Sequence, residues 1–200
     1  MNNLLQLNTS LFAEQGQSSL LAEQFTARFV ASHPGTRVVR RDLANDPVPH
    51  LDASRFTAFS TPAEARTPEQ RAAVQYSDAL INELRRADVI VLGLPMYNFG
   101  VPSQLKSYFD QVARAGETFR YSSNGPVGLL TGKKAYVFAT RGGEFLGTPW
   151  DTQTAFVRNF FRFVGIDDVE FLYAEGLARG DEKRNAAIQG AQQHITRLAA

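Results

Sequence analysis

Apolar positions along the chain alternate between two spacings. Short runs from Leu4 to Leu7, Thr36 to Arg41, Ala87 to Leu94, Lys134 to Thr140 and Val169 to Ala174 read as strands. Between them, helical spacing predicts helices. Ser18 to Ser32 carries Leu21, Phe25 and Phe29 at i, i+4 and stops before His33-Pro34-Gly35. Thr67-Pro68-Glu69-Gln70 opens another helix with a cap residue and a proline at its first position, and Val74, Ala79, Leu80 and Leu84 continue it. Further helices are predicted from Ser103, over Trp150 to Val164, and over Asp181 to Leu198. Leu43 to Thr67 has no clear period and is expected to be a long irregular connection, functional or partly disordered.

Strands separated by helices imply a parallel sheet, because parallel neighbours need crossovers that then cover both faces. The chain is expected to be a single α/β domain, residues 1–200, with a doubly wound five-stranded parallel sheet, which two strand orders fit, one of them 2-1-3-4-5. That order places the loops after strands one and three in one crevice, at the carboxyl ends where ligands bind.

Three such loops are unusual. After the third strand comes Pro95-Met96-Tyr97-Asn98-Phe99-Gly100-Val101-Pro102, offering polarizable and aromatic faces for a flat conjugated ring, an amide that both donates and accepts, and prolines that limit conformational loss. The competing reading is a proline-bounded connection that tucks its aromatics into the core. After the first strand, Asn8 to Ser19 brings hydroxyls and Gly16 to a helix start, a plausible phosphate cradle; Ser18 reads equally as an ordinary helix cap. After the fourth, Thr140-Arg141-Gly142-Gly143 lets the main chain approach a ligand closely and point N–H groups at an electron-rich ring edge, or simply forms a tight turn. No G-x-G-x-x-G follows the first strand, and Gly125 to Lys134 fails the P-loop pattern, which leaves a mononucleotide bound without a P-loop.

Composition removes other chemistries. The 200 residues include no cysteine, which eliminates thiol catalysis, disulfides and thiolate metal sites, and the three histidines lack ligand spacing. A net charge of +1 with no basic block argues against a nucleic-acid binder. The N-terminus lacks the basic start and apolar stretch of a signal peptide, and no run is long enough to span a bilayer, so a cytoplasmic location without membrane partners is expected.

The residues also resemble a known family. Pro95 to Phe99 with Gln104-Leu105-Lys106 and Tyr108-Phe109-Asp110, then Val112 to Gly116, Thr118 to Tyr121, Asn124-Gly125-Pro126, Gly132-Lys133-Lys134, Arg141-Gly142-Gly143 and Ala174-Glu175-Gly176, are similar to the FMN-dependent NADH-azoreductases. The resemblance runs nearly end to end. It implies a flavodoxin-like homodimer that binds FMN, takes hydride from NADH or NADPH, and passes electrons to quinones or aromatic azo compounds in a two-step, ping-pong exchange through one flat slot. By position it implies that Ser10, Gly16, Gln17 and Ser18 hold the phosphate. Pro95, Met96, Tyr97, Asn98 and Phe99 would contact the isoalloxazine, and Thr140, Arg141, Gly142 and Gly143 would reach its pyrimidine edge. Asn98, Phe99, Phe119, Tyr121 and Phe163 would line the substrate pocket. No side-chain nucleophile is implied; Tyr121 is a candidate proton donor. Gly16 and Thr140 stand where the family often has serine. Glu144 to Trp150 is more particular to this chain and is expected to tune substrate range. The alternatives are a one-electron carrier of the flavodoxin kind, an FMN-binding module without turnover, or a phosphodiester hydrolase, for which no metal cluster or activated nucleophile is visible.

Overall fold

The computed structural model describes residues 2–198; Met1, Ala199 and Ala200 of the expected domain lie outside the described residues. In chain order the elements are β1 (Asn3–Asn8), α1 (Gln17–Ser32), β2 (Arg37–Asp42), α2 (Ala53–Ser60), α3 (Pro68–Arg86), β3 (Val89–Pro95), α4 (Ser103–Val112), β4 (Phe119–Ser122), β5 (Gly125–Gly128), β6 (Lys134–Thr140), α5 (Thr152–Val164), β7 (Asp168–Ala174) and α6 (Asp181–Leu198).

Five strands pair in parallel in the order β2-β1-β3-β6-β7. The strand numbering departs from the expected 2-1-3-4-5 because β4 and β5 intervene in sequence and form an antiparallel hairpin of their own. Alternation along each strand splits the apolar residues between two cores. Leu5, Leu7, Ile90, Leu92 and Val137 face α3, α4 and α5, whereas Leu4, Val91, Tyr136, Phe138 and Leu172 face α1 and α6. β3, at the centre, is buried along its whole length, as a strand covered on both faces must be.

Three local expectations need correction. Leu43 to Thr67 is not structureless: it holds α2, capped by Asp52 accepting from the Arg55 N–H at 2.8 Å, and a short 3-10 turn over Ala63–Ala65. Only Ala58 of α2 is buried, so no apolar stripe announces the helix. The α5 helix begins at Thr152, two residues later than expected, because the Asp151 carboxylate caps it through the Thr154 N–H at 3.1 Å. The α1 helix begins at Gln17 with Gly16 at the cap position and no side-chain cap, so Ser18 is not the cap residue. The cap and box of α3 form as the sequence predicts, Thr67 and Gln70 bonding reciprocally.

Register brings the strand ends into line. Asn8 pairs with Gly93, Pro95 with Thr140, and Thr140 with Ala174. The loops after β1, β3, β6 and β7 therefore leave one edge of the sheet side by side.

Candidate active site

The loop after β3 is a tight reversal closed by two hydrogen bonds between Tyr97 and Gly100, at 3.2 and 3.0 Å. Asn98 and Phe99 carry the turn with φ of 49° and 64°. Two successive positive φ values suit a type I′ turn, whose usual residues are Asn and Gly. A phenylalanine there is strained by about 1–2 kcal/mol, and such strain collects at functional positions. The ring is not taken into the core: Phe99 is 46% exposed. Buried Gln153 of α5 braces the loop, its Nε2 donating to the Pro95 and Gly100 carbonyls at 2.8 and 2.9 Å, while Thr152 donates to the Phe99 carbonyl.

The loop after β1 meets this turn. Tyr97 Oη accepts the Leu11 N–H at 3.1 Å and lies 3.4 Å from Ser10 Oγ. Thr9 Oγ1 donates to the Gly93 carbonyl at 2.7 Å, pinning the start of the loop to β3. Gly16 makes room for Ser10, since a Cβ at Gly16 would fall 2.4 Å from the Ser10 Cβ. The first turn of α1 then presents N–H groups without a side-chain cap. The hydroxyls of Ser18 and Ser19 are buried there and lack a hydrogen-bond partner among the described residues. Orphaned hydroxyls, free N–H groups and the positive end of a helix dipole are what an anionic phosphate satisfies.

After β6, neither Gly142 nor Gly143 has positive φ. Their carbonyls accept from Ala178 and Gly176, and no acceptor among the described residues takes their N–H groups. A Cβ at Gly143 would stand 2.5 Å from the Phe145 ring, so the glycine lets that ring lie against the main chain. Arg141 differs from its expected role. Its side chain is fully buried, paired with Asp151 at 2.7 Å and Glu175 at 3.0 Å, bonded to Thr154 at 3.1 Å, and set over the Tyr173 ring. Its N–H is taken by the Ala174 carbonyl, so Arg141 braces the crevice from behind. Glu175 also accepts the N–H groups of Phe145 and Leu146 at 2.9 and 3.0 Å. Burial opposes the charge on Asp151, but hydrogen bonds from Arg141 and Thr154 outweigh it and hold the carboxyl below the usual range. Burial pushes the Tyr173 phenol up.

The crevice thus has two donor-rich ends joined by the turn at Tyr97 to Gly100, an arrangement that fits a flat ring carrying a phosphate tail. Residues 2–198 match the sequence profile of the flavodoxin-like fold. An FMN-dependent NADH:quinone oxidoreductase of Burkholderia lata is 54% identical over 195 residues, 98% of either chain. The chain belongs to that flavodoxin-like family. Among solved structures, an azoreductase from Bacillus anthracis superposes with a TM-score of 0.91 at 28% identity, covering 100% of this chain and 99% of that one. An FMN-dependent NADH-azoreductase of the same species, in complex with FMN, gives 0.88 at 26% identity with 100% of both chains covered.

Not every expected family position lies in this crevice. Ser10, Gly16, Gln17, Ser18, Pro95 to Phe99 and Thr140 to Gly143 gather at the carboxyl edge of the sheet. Phe119, Tyr121 and Phe163 form a separate cluster, with Phe119 buried against Tyr121 at 5.4 Å and Phe163 at 4.3 Å. α4 and α5 both start at the carboxyl edge and run away from it, for 10 and 13 residues. At 1.5 Å per residue the hairpin joined to their far ends is about 15–20 Å from the crevice. Tyr121, 75% exposed, faces a cleft of about 370 Å³ with Phe56, Phe59 and Arg114. Of the residues that brace the site, Glu175 lies in a stretch that carries the family resemblance, while Gln153 and Asp151 carry no signal in the sequence beyond residue type; the role of all three depends on partners 10 to 58 positions away.

Proposed function

We propose that the chain, as a single FMN-binding domain, is an NAD(P)H oxidoreductase that reduces quinones by two electrons and cleaves aromatic azo bonds. The two half-reactions alternate in one slot. One observation carries this reading: uncommitted donors at the α1 N-terminus and at Gly142 and Gly143 flank a strained, braced aromatic turn on one edge of the sheet. The relatives named for FMN, NADH and quinone support the cofactor, donor and acceptor, and the azoreductase neighbours support the azo substrates.

When bound, FMN supplies hydride acceptance from a nicotinamide and its delivery to the acceptor. The chain binds, orients and shields. Ser10, Gly16, Gln17 and Ser18 would hold the phosphate by the uncapped helix start. Met96 to Phe99 would seat the ring, and the free N–H groups of Gly142 and Gly143 would stabilise negative charge at its pyrimidine edge. No carboxylate, imidazole or thiol need act on the acceptor; Tyr121 is the candidate proton donor. Since Tyr121 and Phe163 lie about 15–20 Å from the crevice of their own chain, a slot lined by them and by Asn98 and Phe99 requires a second copy. A homodimer follows from the proposal.

The test is the visible spectrum of FMN-reconstituted protein under anaerobic conditions. A bound-flavin spectrum that bleaches with NADH or NADPH and returns with benzoquinone, then with an azo dye, is the expected result and ranks the donors. A protein that takes up no FMN overturns the proposal.

A further inference from the structure

The segment between β6 and α5 places two aromatic rings, Phe145 and Trp150, beside Phe99 of the loop after β3. Phe145 lies against Gly143 and edge-on to Phe99, with ring centroids 5.7 Å apart at 74°. Trp150 also packs against Phe99, 5.0 Å away at 39°. Trp150 is 59% exposed, and an exposed apolar patch of this kind marks a binding surface.

The rings are held in place by the main chain. Glu175 grips the N–H groups of Phe145 and Leu146. Thr148 donates to the Phe145 carbonyl at 2.7 Å and accepts the Trp150 N–H at 3.2 Å. Asp151, next in the chain, is fixed by buried Arg141. Glu144 ties the start of the segment to Arg179 and Lys183. A surface ordered before binding loses little conformational entropy when a flat ligand stacks on it.

We propose that Phe99, Phe145 and Trp150 form a preorganised aromatic platform that selects acceptors with a second planar ring, such as fused-ring quinones, over single-ring quinones. The inference rests on the proposed function. The Phe99 and Trp150 ring centroids are 5.0 Å apart, so a fused-ring acceptor can contact both where a single ring covers one.

The test compares 1,4-naphthoquinone with 1,4-benzoquinone on the FMN-loaded full chain. Trp150→Ala is expected to lower kcat/KM for naphthoquinone about fivefold to tenfold, with benzoquinone changed less than twofold and flavin retention unaltered; tenfold is about 1.4 kcal/mol, within reach of one aromatic pair. Trp150→Phe is expected to recover most of the loss. Equal losses for both acceptors, no loss for either, or a shift to monomer in sedimentation would overturn the platform. Trp150 is the only tryptophan of the chain, so a second readout needs no turnover. Saturable quenching of its fluorescence by naphthoquinone, in oxidised protein without nicotinamide, is expected, and its absence overturns the platform. A wild type that quenches but reduces neither quinone refutes the proposed function and leaves the platform standing.

Discussion

Glu175 is the residue whose removal tests the architecture of the crevice most directly. Its carboxylate pairs with Arg141 at 3.0 Å and accepts the N–H groups of Phe145 and Leu146, and its side chain is only 16% exposed. Glu175→Ala leaves Arg141 with Asp151 and Thr154 but strips one side of a fully buried guanidinium. Breaking a buried pair outright costs about 3–5 kcal/mol. With the second carboxylate retained, about 2–3 kcal/mol is expected, the range for losing hydrogen bonds to a charged group. Urea unfolding of the flavin-free protein at fixed concentration would read this. With a slope of about 2 kcal/mol/M, the midpoint should fall by roughly 1–1.5 M. Glu175→Gln, which keeps an acceptor for the N–H groups, should lose about half as much. A midpoint within 0.2 M of wild type, roughly 0.4 kcal/mol at that slope, would mean that Glu175 does not brace the loop.

Further outcomes follow from the same geometry. Gln153→Leu removes both bonds to the Pro95 and Gly100 carbonyls; a loss of about 1–3 kcal/mol and weaker FMN retention by fluorescence titration are expected. A bulky residue at Gly143 would force the Phe145 ring aside, a Cβ alone reaching 2.5 Å from it, so Gly143→Leu should weaken FMN affinity; unchanged affinity removes that loop from the site. Phe99→Gly should stabilise the free protein by up to about 1 kcal/mol by relieving the positive φ while lowering quinone turnover. The depressed carboxyl of Asp151 makes stability depend on acid. Its contribution is complete above the ordinary Asp value of about 3.9 and is lost as pH falls through the lower folded value. A pH series of melting temperatures should therefore drop less steeply below pH 4 in Asp151→Asn than in wild type.

The sheet was legible because its strands lie between helix patterns and all but β2, whose apolar residues are Val38 and Val39, are rich in apolar positions; two doubly wound orders fitted them, and the observed one puts β1 beside β3. What the pattern hid was structure without an apolar stripe. α2 buries a single alanine, and the hairpin of β4 and β5 exposes Tyr121 and Val127. Both depend on what they pack against, α3 for the first and α5 for the second. The Leu130 N–H, just past the hairpin, donates to the Val164 carbonyl at the end of α5 across 34 residues, a contact no local window contains.

At the site, the sequence located the loops and left the direction of their side chains open. Arg141 sits between a threonine and two glycines in a loop at the carboxyl edge of the sheet, so residue type and position both favoured contact with a ligand. Its guanidinium instead turns inward because two carboxylates wait there: Asp151, which caps α5, and Glu175, which follows β7. Neither partner can be assigned until the register of β6 and β7 sets Thr140 beside Ala174. The buried charge network is therefore a product of tertiary structure, and it fixes the partly buried ring of Phe145 and the exposed ring of Trp150. A buried ion pair adds little net stability against an apolar substitute. Its use here is positional: Arg141, Asp151 and Glu175 hold fixed a loop that carries no regular structure, and a flat cofactor and a flat acceptor need a surface that does not rearrange between them.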